Sequence, residues 1–151
     1  MSLYLDASCL LKLLFPEPET PRVMQLIAAE QQVVVSTLAR LEALVQLHGR
    51  GSGGLLKPAS VRSLVARLQA LLGQDPYEMV HTPPTAIDVA EEQLRRLPRE
   101  AHCPTLDRLH LASMAAFNLR RLLTNDDAQA RAARALGFTV IVPRSTRSAS
   151  R

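Results

Sequence analysis

Four carboxylates sit in surroundings that are otherwise apolar. Asp6 closes the run Leu3-Tyr4-Leu5, and Asp126 follows Leu122-Leu123-Thr124-Asn125, so each stands just past a short hydrophobic segment of strand length. Glu42 has Leu41, Ala43, Leu44 and Val45 as neighbours, and Asp107 stands close to Leu106 and Leu109. Local roles exist for some of them. Asp107 falls in the first turn of its helix, where the helix dipole favours negative charge. Asp6 is placed to cap a following helix, and Asp126 or Asp127 to cap the last one. Glu42 lies inside its helix and has no such role, and an uncompensated carboxylate near a buried margin is costly. Acids gathered at one sheet edge favour a shared cation. With no His or Cys at ligand spacing, that cation is a hard one such as Mg²⁺ or Mn²⁺. Such a centre, with one metal or a pair about 4 Å apart, suits hydrolysis of a phosphodiester by an activated water.

The surrounding pattern supplies elements to position these acids. Leu3-Tyr4-Leu5 reads as a buried strand, and Leu10 to Phe15 as one or two helical turns before Pro16. Thr20 and Pro21 open a helix reaching about Glu30, with Thr20 as N-cap. Val33-Val34-Val35 is a second strand, followed by a helix capped at Ser36 or Thr37 and carrying Leu38, Leu41, Leu44, Val45 and Leu47. The stretch from Gly49 to Gly54 reads as a flexible connection to a helix over Pro58 to Leu72, giving an αα-hairpin. Tyr77 to His81 is a third strand. Thr85 and Asp88 resemble a capping box for a helix to Leu97, and Thr105 caps the next. Arg121-Leu122-Leu123 is a strand, Ala128 to Leu136 a helix ended by Gly137, and Phe138 to Val142 the last strand. Alternating strands and helices imply an α/β fold whose mostly parallel sheet is covered on both faces. In such sheets ligands bind beyond the carboxyl ends of the strands at the topological switch point, so Asp6 and Asp126 meet if their strands are neighbours. A single domain over residues 1–143 is expected, with 144–151 a frayed tail.

Composition narrows the class further. The chain has 151 residues, 47% of them hydrophobic, enough for one core. No apolar run approaches the roughly 18 residues of a membrane span, and the opening segment lacks the pattern of a signal peptide, so a cytoplasmic protein is expected. Cys9 and Cys103 are widely spaced and read as buried small hydrophobes rather than as a disulfide or zinc site. The net charge of +4 is compatible with a polyanionic partner, and equally with Arg-rich usage of no functional meaning.

In order along the chain, Tyr4-Leu5-Asp6-Ala7-Ser8, Leu41-Glu42, Thr105-Leu106-Asp107-Arg108-Leu109-His110-Leu111-Ala112 and Leu123-Thr124-Asn125-Asp126 resemble the four acidic motifs of PIN domains, in particular those of VapC-type toxins. Each motif alone is weak, but four in order over nearly the whole chain make a specific signal. The resemblance implies a PIN-like five-stranded parallel sheet with the first and fourth strands central. It also implies a Mg²⁺- or Mn²⁺-dependent endoribonuclease that cuts RNA, is inhibited by a cognate antitoxin, and is frequently a homodimer. Carried over residue by residue, Asp6, Glu42, Asp107 and Asp126 are the catalytic and metal-binding acids, Ser8 is the polar companion of Asp6, and Thr124 orients the site through its hydroxyl. Asp127 is read as a helix cap, with replacing or supplementing Asp126 as the alternative. His110, flanked by Leu109 and Leu111, is read as a packed histidine without a role, and Lys12, Arg108 and Arg120 as solvated charges, with contact to RNA phosphates as the alternative.

Two other strand-end acid chemistries fit less well. A receiver-type phosphoacceptor resembles cases needing a late-strand Lys, but the lysines are only Lys12 and Lys57. A haloacid-dehalogenase-like phosphatase needs a second Asp where Ser8 stands. The remaining alternatives are a PIN-like module that binds RNA or protein without cutting, its acids holding a structural metal, and a solitary RNA-processing nuclease.

Overall fold

Each short apolar run becomes a strand, and the order in which the strands pair sets where the acids fall. The computed structural model describes residues 1–144, so the tail expected over 144–151 lies outside the described residues beyond Arg144. The elements are β1 (Leu3–Leu5), α1 (Ala7–Lys12), α2 (Thr20–Ala28), β2 (Val33–Ser36), α3 (Thr37–Ser52), α4 (Pro58–Leu72), β3 (Tyr77–Val80), α5 (Ala86–Arg96), a 3-10 turn at Arg99–Ala101, α6 (Thr105–Ala116), β4 (Arg121–Leu123), α7 (Asp127–Ala135) and β5 (Thr139–Ile141). The sheet has five strands in the order β3-β2-β1-β4-β5, all parallel. The α/β class expected from the alternation is the one observed.

Side chains alternate across the sheet, and both faces are covered. Leu3, Leu5, Val33, Val35 and Leu123 enter one core cluster with residues of α1 to α4, including Leu10, Ile27, Leu47 and Leu68. Tyr4, Val34 and Leu122 point the other way, into a cluster with Leu111 and Met114 of α6 and Ala132 and Ala133 of α7. On that side α5 packs against α6 through Ala86, Ala90 and Ala112, small residues that allow close approach. The chain builds outward from β1 through β2 to β3, then returns to β1's other flank as β4. The switch point therefore lies between the ends of β1 and β4, with Leu5 paired to Leu123 just before Asp6 and Thr124. No helix among the described residues is long and apolar enough to cross a membrane.

Local chemistry departs from the sequence reading at several ends. Thr20 is the first residue of α2 rather than its cap; its hydroxyl accepts from the Glu17 N–H at 2.9 Å and donates to the Lys12 carbonyl at 2.8 Å, tying down the turn between α1 and α2. Thr85 makes no capping bond, and α6 starts behind Pro104 with Thr105 already helical. Lys12 and Arg108 are not solvated charges. Lys12 is buried and paired with Glu17 and Glu19, while Arg108 is buried and donates to the Cys103 carbonyl at 3.2 Å. Arg120 is exposed. Cys9 is buried and Cys103 partly so, and neither is in a disulfide.

The glycine stretch is also more helical than its composition suggests. α3 runs through Gly49 and Gly51 to Ser52, leaving the turn to Gly53–Lys57, where Gly54 has φ of 73°. At Gly51 an added Cβ would meet the Val61 Cγ2 at 2.8 Å, whereas at Gly49 it would meet nothing within 4 Å. Gly49→Ala is therefore expected to stabilise the protein by about 0.5–1 kcal/mol, since a helical glycine costs about that much relative to alanine. Gly51→Ala gains less or loses, because branched Val61 gives way poorly. Paired thermal melts of the two variants check the contrast.

Candidate active site

Asp6 is held by more donors than any other acid of the cluster. It follows β1, is 4% exposed, and its Oδ1 caps α1 by accepting the Cys9 N–H at 3.1 Å. Its carboxylate also accepts from the Ser8 hydroxyl at 2.8 Å and from the Thr124 hydroxyl at 2.7 Å. Ser8 and Thr124 each reach across the switch point. Ser8 Oγ accepts the Asn125 N–H at 2.9 Å, and Thr124 Oγ1 accepts the Asp126 N–H at 3.0 Å. The ends of β1 and β4 are thus cross-linked by two hydroxyls around one carboxylate. Burial holds the Asp6 carboxyl above the usual carboxylate range, opposed by those same hydrogen bonds.

Asp126 is half-buried and caps α7, its Oδ1 accepting the Gln129 N–H at 2.8 Å. The cap is Asp126 rather than Asp127, which is the exposed first residue of that helix. Asp107 stands in the first turn of α6 and takes part in no hydrogen bond or ion pair among the described residues. Its carboxyl is pushed up to about 6, first by burial and then by the charges of Asp126 and Glu42, with Asp6 adding to them and His110 opposing. All three other acids thus act on Asp107, and the cluster is gathered from β1, α3, α6 and the end of β4. The only basic side chain bonded to any of them among the described residues is His110, which meets Glu42. Arg121, at the start of β4, is engaged at the opposite end of the strand by a two-pronged pair with Glu30 at 2.7 Å.

Glu42 leads to residues whose part the sequence reading missed. Its Oε2 lies 2.5 Å from His110 Nε2, and His110 Nδ1 lies 2.7 Å from the Tyr4 hydroxyl. The Tyr4 hydroxyl is in turn 2.8 Å from Ser36 Oγ. His110 is 1% exposed, so it is packed, as its leucine neighbours suggest, and is also bonded through both ring nitrogens. The available signal was the spacing from Asp107 to His110, which puts both on one face of α6.

Among the described residues no group of three or more His, Cys, Asp or Glu side chains is placed to hold a metal ion together. Mg²⁺ keeps several waters and takes only one or two carboxylates together with substrate phosphates, so it does not require three protein ligands. A cleft of about 500 Å³ lined by residues including Leu14, Met24, Ile27, Arg67 and Leu71 contains none of the four acids.

Comparisons with known proteins agree with this architecture. Residues 3–135 match the family described as PIN domain. The chain is 32% identical over 144 residues to Ribonuclease VapC46 of Mycobacterium tuberculosis, an alignment covering 94% of this chain and 98% of that one. Among solved structures it is similar to FitAcB from Neisseria gonorrhoeae, with a TM-score of 0.73, 18% identity, and 93% and 97% of the two chains covered. It is also similar to VapC20 of Mycobacterium tuberculosis, described as a sarcin-ricin loop cleaving toxin, with a TM-score of 0.69, 17% identity, and 91% and 96% covered.

Proposed function

This chain belongs to the PIN-domain family, and on that premise we propose that it is a Mg²⁺- or Mn²⁺-dependent endoribonuclease acting as the toxin of a toxin–antitoxin pair in the cytoplasm. What supports the proposal is that Asp6 and Asp126 stand past the paired ends of β1 and β4, that the charges of Asp126, Glu42 and Asp6 all bear on Asp107, and that His110, on Glu42, is the only basic side chain bonded to any of the four among the described residues. Four carboxylates so placed repel one another, and a divalent cation relieves the repulsion.

The donor set fits such a cation, since it is all oxygen and the four acids are held to different degrees. Asp6 is fixed by Ser8, Thr124 and the Cys9 N–H, Asp126 by its cap, and Glu42 through one carboxylate oxygen. Asp107 and the remaining oxygens of Asp126 and Glu42 are the groups that would hold the cation alongside Asp6. When bound, the cation supplies Lewis acidity that lowers the pKa of a water and offsets charge on the scissile phosphate. Ser8 and Thr124 keep the Asp6 oxygens in place, so little reorganisation is needed when charge develops. Beyond the acids, exposed Leu41 and Val45, one turn apart on α3, support a protein partner, either a second copy or the antitoxin.

Induced expression in a bacterial host tests the reading. Growth is expected to stop, and RNA from arrested cells to carry discrete new ends, with both effects absent for Asp126→Asn. Unimpaired growth with intact RNA, at equal levels of soluble protein, would sink it.

A further inference from the structure

Glu42 has the longest side chain of the four acids, with the most rotamer freedom to lose, and it stands between exposed Leu41 and Val45 on α3. Asp6 and Asp126 are each held by backbone N–H groups of the helix they cap; Glu42, within a helix, has no such donor. What holds it is His110, whose Nε2 lies 2.5 Å from Oε2, and no hydrogen bond reaches Oε1 among the described residues. The contacts then close into a ring. His110 Nδ1 is 2.7 Å from the Tyr4 hydroxyl, Tyr4 is 2.8 Å from Ser36 Oγ, and Ser36 caps α3, the helix that carries Glu42, by accepting the Ala39 N–H at 3.1 Å. The Tyr4 and His110 rings also meet edge to face, with centroids 5.8 Å apart. Tyr4 and His110 are both fully enclosed, so neither touches an RNA.

We propose that Tyr4 and His110 are positioning residues that aim Glu42 at the acidic cluster, His110 doing so by donating a proton from Nε2 to the Glu42 carboxylate. This rests on the reading of the acids as a cation site. The hydrogen bond follows from geometry, and the proton assignment from Glu42 acting as a cation ligand. A bare ring nitrogen and a carboxylate oxygen cannot face each other at 2.5 Å, so a proton lies between them. The Tyr4 hydroxyl has one proton and two neighbours, Ser36 Oγ and His110 Nδ1, and for Glu42 to ligate a cation as a carboxylate the proton it shares with His110 must sit on Nε2 whichever of them Tyr4 serves. The arrangement matches the general need of metal-binding carboxylates for partners that fix their orientation.

The test is a titration of the purified full chain with Mn²⁺ alone, free ion followed by its paramagnetic resonance, without RNA. His110→Leu is expected to weaken binding roughly 10–100-fold and Tyr4→Phe less, in the range known for residues that orient metal ligands. His110→Gln, which returns an amide donor near the position of Nε2, is expected to recover most of the affinity. Nitrogen NMR of the wild-type imidazoles, assigned by loss of one signal in His110→Gln, should show Nε2 protonated and its resonance moved by Mg²⁺. If His110→Leu does not fold, Tyr4→Phe and the NMR signal decide. Wild-type affinity in the folded variants, or a bare Nε2, overturns this inference while leaving the cation site standing. Failure of the wild type to bind Mn²⁺ overturns both together.

Discussion

Asp6→Asn is expected to leave the protein folded and to lower cation-dependent RNA cleavage by roughly 1,000-fold, the scale of losing a charge that stabilises a transition state. The fold survives because the amide keeps most of the local bonding. Its oxygen still accepts the Cys9 N–H, and the Ser8 and Thr124 hydroxyls that donate to the carboxylate can rotate to accept from the new NH₂. Loss of a buried charge offsets the weakened hydrogen bonds, each worth about 1 kcal/mol. Melting temperature measured beside the cleavage rate checks both halves. A large drop in stability would place Asp6 among structural residues instead.

Asp107→Asn is expected to separate stability from function in the opposite direction. The carboxyl of Asp107 is pushed up to about 6, above its unfolded value, so the folded chain binds the proton more tightly than the unfolded one. The cation-free protein therefore has this stability in full below about pH 4 and loses it as pH rises through 6. Removing the charge should stabilise the cation-free protein at pH 7 by roughly 1–2 kcal/mol, after allowance for partial exposure, and change little at pH 4. The same substitution should abolish the rise in melting temperature that Mg²⁺ or Mn²⁺ gives the wild type. For the wild type, apparent Mn²⁺ affinity should fall as pH drops below about 6, because protons compete for the same carboxylate. Thermal melts at pH 4 and 7, with and without Mn²⁺, measure all of these. A variant less stable than wild type at pH 7 would show that Asp107 makes an attractive contact in the cation-free state.

How much of this was legible in the chain depended on whether the deciding contact was local. Leu3-Tyr4-Leu5 before Asp6 and Leu122-Leu123 before Asp126 mark strand ends directly, but the switch-point rule brings the acids together only if β1 and β4 are neighbours, an adjacency that the PIN resemblance implied and the sheet has. The pairing of Tyr4 with His110 joins positions far apart in sequence, and the leucines beside His110 conceal it, because burial and hydrogen bonding look alike in an apolar stretch. Helix starts misled for a related reason. Thr20 has a cap residue's chemistry, but its hydroxyl is taken by Lys12 and Glu17. Gly49 and Gly51 look like a break, yet α3 runs on through them and the tight approach of Val61 sits over Gly51. Lys12 resembles a surface charge until the turn after α1 brings Glu17 and Glu19 over it.

The central claim is that the four acids serve cation-dependent scission of RNA. Its most direct test is incubation of total cellular RNA with the purified protein in Mg²⁺ or Mn²⁺, beside EDTA and Asp6→Asn reactions. Discrete fragments that need the cation and vanish in both controls are the result this account predicts. Intact RNA with a folded, cation-loaded wild-type protein would contradict it and leave a PIN domain that binds without cutting.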